Sequence, residues 1–354
     1  LRGLELKLTT ITELTDQDCH AWDAYVRSAA HGLPQHLAGW RKVLAQTHGF
    51  ATPYLMARAG ERVVGVLPLL LVRSHLVGHT ATTMPGGICA DSEQVGLALI
   101  ARGQEIARQA QARRFILHDT RQAWPGGLHT TTHHVHWLVD VRPGPEALWA
   151  RLDGNIRRQV RIARANGLSV EIDRSGQCLR TCYELLSRSM HQLGTPLFGR
   201  DFLEHIVEIF PGGFNIAVVH SGLGPIGAFF QLQMGHTVYG MWGAILREYL
   251  DLRPTYLAYW EMLRDASANG YHCLDMGRSP AGSNASKFKG QWGGLGQPIY
   301  QQVASLGRAE DGASIAERIG SDRKFQLVRR LWPQLPLPVA RYLGPKLRRH
   351  VPFA

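Results

Sequence analysis

Apolar residues recur at helical spacing near the start of the chain, where Trp22, Tyr25 and Val26 are followed by Trp40, Val43 and Leu44, predicting helices over 16–28 and 36–47. Two strand-like runs follow, 52–58 and 62–73, separated by Ala59, Gly60 and Glu61. They predict a hairpin whose second arm is apolar enough for a central strand. A short strand over 76–84, a loop at Pro85, Gly86 and Gly87, a helix over 92–112 and a strand over 114–117 complete the set. The order then returns: helices over 177–193 and 200–210, strands over 214–220, 225–234 and 237–244, a helix over 254–269 and a strand over 272–275. Between the copies lie a strand over 134–141 and a helical connector over 144–167, set off by Pro143, Gly144 and Pro145. Two rounds of helices, antiparallel strands, helix and strand predict a duplicated α/β (α+β) fold, each copy a mixed, mainly antiparallel sheet flanked by helices. The expected domains are 1–150 and 151–305, with a C-terminal tail over 306–354.

Composition agrees with two cores, since 45% of the 354 residues are hydrophobic. Thirty-nine Lys and Arg against 28 Asp and Glu give a net charge of +11, which favours an anionic partner such as RNA, a lipid diphosphate or a membrane surface. The charge is concentrated at the end. From Arg323 onward there are Lys324, Arg329, Arg330, Arg341, Lys346, Arg348 and Arg349 and no acidic residue, interleaved with Phe325, Leu327, Val328, Leu331 and Trp332. That mixture suits the headgroup boundary of an anionic leaflet, or a docked helix with a solvated basic face. Cys19, Cys89, Cys178, Cys182 and Cys273 show no CxxC spacing and fit a reducing compartment. The longest apolar stretch, 63–72, holds Pro68 and is too short to span a bilayer. A cytoplasmic protein, at most peripheral at the inner face of the membrane, is expected.

Two segments carry candidate chemistry. On the connector, Arg157, Arg161 and Arg164 share one helix face while Ile156, Val160 and Ala163 line another, so the basic stripe offers phosphate contacts or a solvated face. The segment 275–292, DMGRSPAGSNASKFKGQW, leaves a strand end, passes Gly277 and Gly282 and leads into a short helix that Asn284 can cap. Its Arg278, Lys287 and Lys289 supply cations beside the helix start, and the two lysines, two residues apart, point to different sides. His129, His133, His134 and His136 lack a nearby Cys or carboxylate and do not form a metal set. No GxSxG elbow, phosphate-loop or dinucleotide fingerprint is present, and no cofactor is implied.

In order along the chain, the Arg-rich connector 155–167, the run Gly194-Thr-Pro-Leu-Phe-Gly-Arg200, and Asp275-Met-Gly-Arg-Ser followed by Phe288, Lys289 and Trp292 resemble the Fem family of aminoacyl-tRNA-dependent peptidyltransferases. The tail resembles that of a Fem-related subgroup associated with exosortase and exopolysaccharide systems. The resemblance implies tandem acetyltransferase-type (GNAT) domains and attack of an amine on the ester of an aminoacyl-tRNA, leaving an amide on a cell-envelope precursor such as a peptidoglycan intermediate. Phe288 and Lys289 match the family's Phe-Lys pair, so Lys289 would stabilise the developing oxyanion. Arg278, Lys287, Arg200, Arg157 and Arg161 would hold phosphates of acceptor or tRNA, with Gly277, Ser279, Tyr256 and Trp292 lining the substrate site. Asp119, at a strand end, is a candidate general base. The helical-hairpin insertion of bridge-extending members is absent from the sequence, and DNA is not an expected partner. A thioester-dependent N-acyltransferase of exopolysaccharide synthesis, and a non-catalytic membrane-surface binding protein, are the alternatives. Against coenzyme A, the chain after Ala244 has no glycine-rich turn to grip a pyrophosphate.

Overall fold

Pro68 decides how the longest apolar run is used. It has no N–H to give a ladder, so the expected single strand is two, ending at Leu67 and restarting at Leu69 in a different sheet. The structure, a computed structural model, describes residues 9–74, 78–307 and 323–350; the start of the strand expected at 76–84 and most of 306–322 lie outside them. In chain order the elements are β1 (Thr9–Glu13), α1 (Cys19–Ser28), α2 (Trp40–His48), β2 (Leu55–Ala59), β3 (Arg62–Leu67), β4 (Leu69–Val72), β5 (Thr80–Thr83), β6 (Cys89–Ala90), α3 (Glu93–Gln109), β7 (Arg114–Asp119) and β8 (His129–Asp140). Then follow α4 (Pro145–Arg151), α5 (Gly154–Ala165), β9 (Ser169–Asp173), α6 (Leu179–Gln192), α7 (Arg200–Ile209), β10 (Phe214–Ser221), β11 (Gly224–Met234), β12 (Thr237–Ile245), α8 (Pro254–Ala268), β13 (Cys273–Pro280), α9 (Asn284–Gly290), β14 (Leu295–Ser305), α10 (Arg323–Leu331) and α11 (Leu337–Arg348). Among the described residues no helix is long and apolar enough to cross a membrane.

Two compact units emerge. The first comprises Leu1–His133, Pro298–Gln326 and Lys346–Ala354, the second His134–Gln297 and Leu327–Pro345. Position 150/151, the boundary read from the sequence, falls within the second unit.

In the first unit β1, β2, β3 and β6 form one antiparallel sheet. β5 pairs with β4 on one side and runs parallel to β7 on the other, and β7 pairs with β14, a strand the sequence reading did not anticipate. Ser92 caps α3, its Oγ accepting the Val95 N–H at 3.3 Å. Leu99, Ile106 and Ala107 of α3 bury against Leu67, Leu69 and Phe115. Gly96 leaves room for the Trp124 ring, which a Cβ there would strike.

In the second unit the strand order is β8-β13-β12-β11-β10-β9, antiparallel except for the parallel pair β12 and β13. The connector is two helices rather than one: the chain breaks at Leu152, and Asp153 restarts it by accepting the Asn155 N–H at 2.7 Å. Ile156, Val160 and Ala163 of α5 pack with Leu257, Trp260 and Leu263 of α8 in the core. The run 194–200 has a structural duty: it seats the C-terminal helices. Gly344 lies so close to Leu197 that a Cβ would sit 2.6 Å from its carbonyl oxygen, and Gly194 lies equally tight against the Arg329 backbone. His191 Nε2 lies 2.9 Å from the Leu335 carbonyl and Arg341 Nε donates to Ser187 Oγ at 3.0 Å, so the tail is fixed to α6.

Candidate active site

β12 and β13 are nine and eight residues long, yet they pair over three, from Thr237 opposite Cys273 to Tyr239 opposite Asp275. Beyond Asp275, β13 follows β8 and brings Arg278 opposite His136, while β12 follows β11 to Ile245. The two strands therefore separate at Asp275. The register slips between Asp275 and Arg278, a bulge that sends Gly277 into the left-handed region at φ 75°. Only glycine fits: besides the backbone angle, a Cβ would sit 2.6 Å from the Gly240 carbonyl oxygen.

Asp275 is held at this divergence by its own loop and by β8. Its Oδ1 accepts the Gly277 N–H at 2.8 Å, and its Oδ2 lies 3.1 Å from His136 Nδ1. The two side chains are 14% and 10% exposed. His136 Nε2 is buried and has no hydrogen-bond partner among the described residues.

Lys289 approaches from α9. The cap of this helix is Ser283 rather than Asn284: Ser283 is extended, and its Oγ accepts the Ser286 N–H at 3.2 Å. Two residues are about 200° of helix, so Lys287 faces solvent and Lys289 faces inward, 8% exposed. Its Nζ donates to the carbonyls of Gly277 at 2.9 Å and Arg278 at 3.2 Å. An ammonium has three N–H groups, so one has no protein partner among the described residues. Burial lowers the Lys289 pKa to about 8, opposed in part by the Asp275 carboxylate. At neutral pH the group is still mostly protonated.

Aromatic packing sets the position of α9. Phe288 meets Tyr256 edge-on at 5.0 Å and Trp292 at 6.0 Å, and Tyr259 meets Trp292 at 5.9 Å. Trp137 Nε1 donates to Ser286 Oγ at 3.2 Å. Phe288, Tyr256 and Trp292 thus dock α9 on α8. Ser279 is buried on β13. Arg278 keeps solvent-exposed surface, and desolvation lowers its pKa from the ordinary arginine value without removing its charge.

The other expected residues are engaged elsewhere. Arg157 Nη1 donates to the Ala150 carbonyl at 3.0 Å; Arg161 and Arg164 lie over the Trp149 ring at 5.7 and 6.0 Å, and Arg164 pairs with Glu261 at 2.8 Å. The basic stripe ties α5 to α4 and α8. Arg200 makes a surface pair with Glu204 at 2.8 Å. Asp119, expected as a general base, is fully buried: it accepts from Arg121 N at 2.8 Å, Gln122 N at 3.3 Å and Trp124 Nε1 at 2.8 Å. The carboxylate thus holds three donors and anchors its own loop. Among the described residues no three His, Cys, Asp or Glu side chains cluster to hold a metal.

A family model for the acetyltransferase (GNAT) domain matches residues 150–289, ending on Lys289. A crystal structure of FemX is similar with a TM-score of 0.65 at 16% identity, over 83% of this chain and 96% of that one. The chain has a Fem-like tandem GNAT fold. The C-terminal domain (DUF2156) of a putative lysylphosphatidylglycerol synthetase from Agrobacterium fabrum is similar at TM-score 0.57 and 13% identity, covering 81% of this chain and 91% of that one. A tandem GNAT protein from the clavulanic acid biosynthesis pathway gives 0.52 and 13%, covering 85% and 100%. No curated protein matches the sequence. The parallel strands β12 and β13 separate within the second unit.

Proposed function

We propose that this protein is an acyltransferase that forms an amide between an aminoacyl group, carried as a tRNA ester, and an amine on an anionic cell-envelope precursor. The observation that carries the reading is Lys289: a buried ammonium beside the point where β12 and β13 part, two of its donors fixed on Gly277 and Arg278 and the third without a protein partner among the described residues. As the amine attacks, the C–N bond forms and the ester carbonyl oxygen gains charge; collapse breaks the acyl–oxygen bond and the tRNA hydroxyl leaves with a proton. A fixed cation meets that transient charge without reorganising. Arg278 and Lys287, both with exposed surface, are the cations proposed to attract acceptor or tRNA phosphates. We propose 1–150 and 151–305 as the two functional domains, with acyl transfer in the second.

The ester is favoured over coenzyme A by the chain between β12 and α8. A 3-10 turn, Arg247–Leu252, fills it, without glycine, and Pro254 opens the helix with no N–H to offer a pyrophosphate. Purified protein incubated with bulk charged tRNA and a lipid-linked or nucleotide-linked muropeptide is expected to give acceptor-dependent product that ribonuclease abolishes. Ribonuclease-insensitive transfer from an acyl thioester overturns the tRNA assignment.

The tail supports an acceptor held at a membrane. Within the second unit, Leu327, Val328 and Leu331 are 55%, 36% and 46% exposed beside Arg329 and Arg330. Five of the nine large exposed apolar side chains among the described residues fall between Leu327 and Tyr342. Cosedimentation with vesicles containing anionic lipid, weakened by salt and by Arg329→Glu with Arg330→Glu, is expected. Equal binding to neutral vesicles at high salt contradicts this docking.

A further inference from the structure

We propose that His136 takes the proton shed by the attacking amine and returns it to the departing oxygen, with Asp275 as its positioning residue. This rests on the acyl-transfer reading above and assigns its proton path. His136 Nδ1 faces the Asp275 carboxylate at 3.1 Å, and that carboxylate accepts a second bond, from Gly277 N–H at 2.8 Å. A carboxylate can only accept, so Nδ1 carries the hydrogen and Nε2 the lone pair. Nε2 is the atom that is buried and has no partner among the described residues. Buried polar atoms left open in a native fold mark a place for water or substrate.

Position supports the assignment. His136 lies opposite Arg278 on β13, two residues beyond the point where β12 and β13 part, and the Gly277 and Arg278 carbonyls are the ones that fix Lys289. Proton acceptor and oxyanion donor are thus organised by the same three-residue bulge. The proton count closes: the amine N–H proton moves to Nε2 as the C–N bond forms, and imidazolium delivers it to the ester oxygen as the acyl–oxygen bond breaks.

Around the His136–Asp275 pair the second unit also brings Arg278 and Cys273 on β13, Tyr239 on β12, Tyr259 on α8, His134 on β8 and Lys289 on α9.

The test compares wild type, His136→Gln, His136→Ala and Asp275→Asn with bulk aminoacyl-tRNA and a muropeptide acceptor across pH. His136→Gln is expected to lower kcat about 10²–10⁴-fold with KM little changed and to remove the acid limb of the rate profile. Added imidazole should restore part of the His136→Ala rate. Nitrogen NMR of the wild-type ring, which needs no substrate, should show the Nδ1–H tautomer at neutral pH, lost in Asp275→Asn. If wild type transfers and folded His136→Gln keeps its rate and pH profile, the proton path is wrong and the transferase reading stands. If wild type transfers nothing from charged tRNA, the transferase reading fails, and the NMR result alone decides the His136–Asp275 geometry: an Nε2–H tautomer overturns it.

Discussion

Asp119 and Asp275 are the same device built twice. Each lies on the strand that follows the long helix of its unit and runs parallel to an earlier strand of that unit, β7 beside β5 and β13 beside β12. Each Oδ1 accepts the N–H two residues on at 2.8 Å, from Arg121 and from Gly277, and each Oδ2 meets a ring nitrogen. The rings differ. In the first unit it is the Trp124 indole, a donor that never titrates; in the second it is the His136 imidazole, whose far nitrogen is left open. Geometry is conserved between the halves, and chemistry enters through one ring and through the lysine that only the second half brings to its bulge.

The largest expected effect tests that lysine. Lys289→Met should lower kcat by about 10²–10³, as loss of one preorganised donor does. The folded protein should become more stable: a pKa near 8 against 10.5 means the buried charge costs about 3 kcal/mol, of which stranding two carbonyls gives back about 1 kcal/mol each. The sign with pH follows. Below about 8 both folded and unfolded chains hold the proton and the cost is fully present. Between about 8 and 10.5 the unfolded chain holds more protons, so wild-type stability from this group rises, and in Lys289→Met that rise disappears. Activity should fall as pH passes about 8, because the donor is lost. Chemical denaturation and rate profiles over pH 6 to 10 check both; a variant less stable than wild type at pH 7 would show that Lys289 holds the bulge together more than it serves the reaction.

Next come the two carboxylates. Asp119→Asn turns an amide N–H₂ toward buried donors and should cost about 2–4 kcal/mol, while the folded fraction keeps wild-type kcat. Asp275→Asn should lose less stability, since its side chain retains some solvent, and about tenfold in kcat. Thermal unfolding and turnover of both variants decide the comparison, and a rate loss in Asp119→Asn without loss of stability would restore Asp119 as a base.

These contrasts explain what the sequence made legible. Helical and alternating periodicity located most elements, because burial on one face writes a period into the chain. Lys289 stands out in the sequence because a strand end, glycines and cations adjoin. The His136–Asp275 pair does not: 139 residues separate them, and they meet through an antiparallel register that includes a bulge. Nothing local in a histidine-rich strand distinguishes His136 from His134. The Asp119 contacts are hidden for a related reason, since its partner Trp124 is near in sequence but the hydrogen bond depends on how the loop turns. The strand split at Pro68 was readable from proline chemistry and was outweighed by the continuous apolar run.

The smallest expected effect concerns the arginines of α5, where a basic stripe visible in sequence proves to be occupied. Arg161 lies 5.7 Å from the Trp149 ring centroid and keeps an exposed side chain, a contact worth about 0.5–1 kcal/mol. Arg161→Ala should therefore shift stability by that amount and leave KM for charged tRNA unchanged at 50 and 200 mM salt. A stripe that bound phosphates would instead show a KM increase that shrinks as salt rises, because screening already removes the contribution the mutation deletes. Measuring KM at the two salt concentrations thus separates a helix face that grips nucleic acid from one that grips its own neighbour, and it does so without depending on which amino acid the tRNA carries.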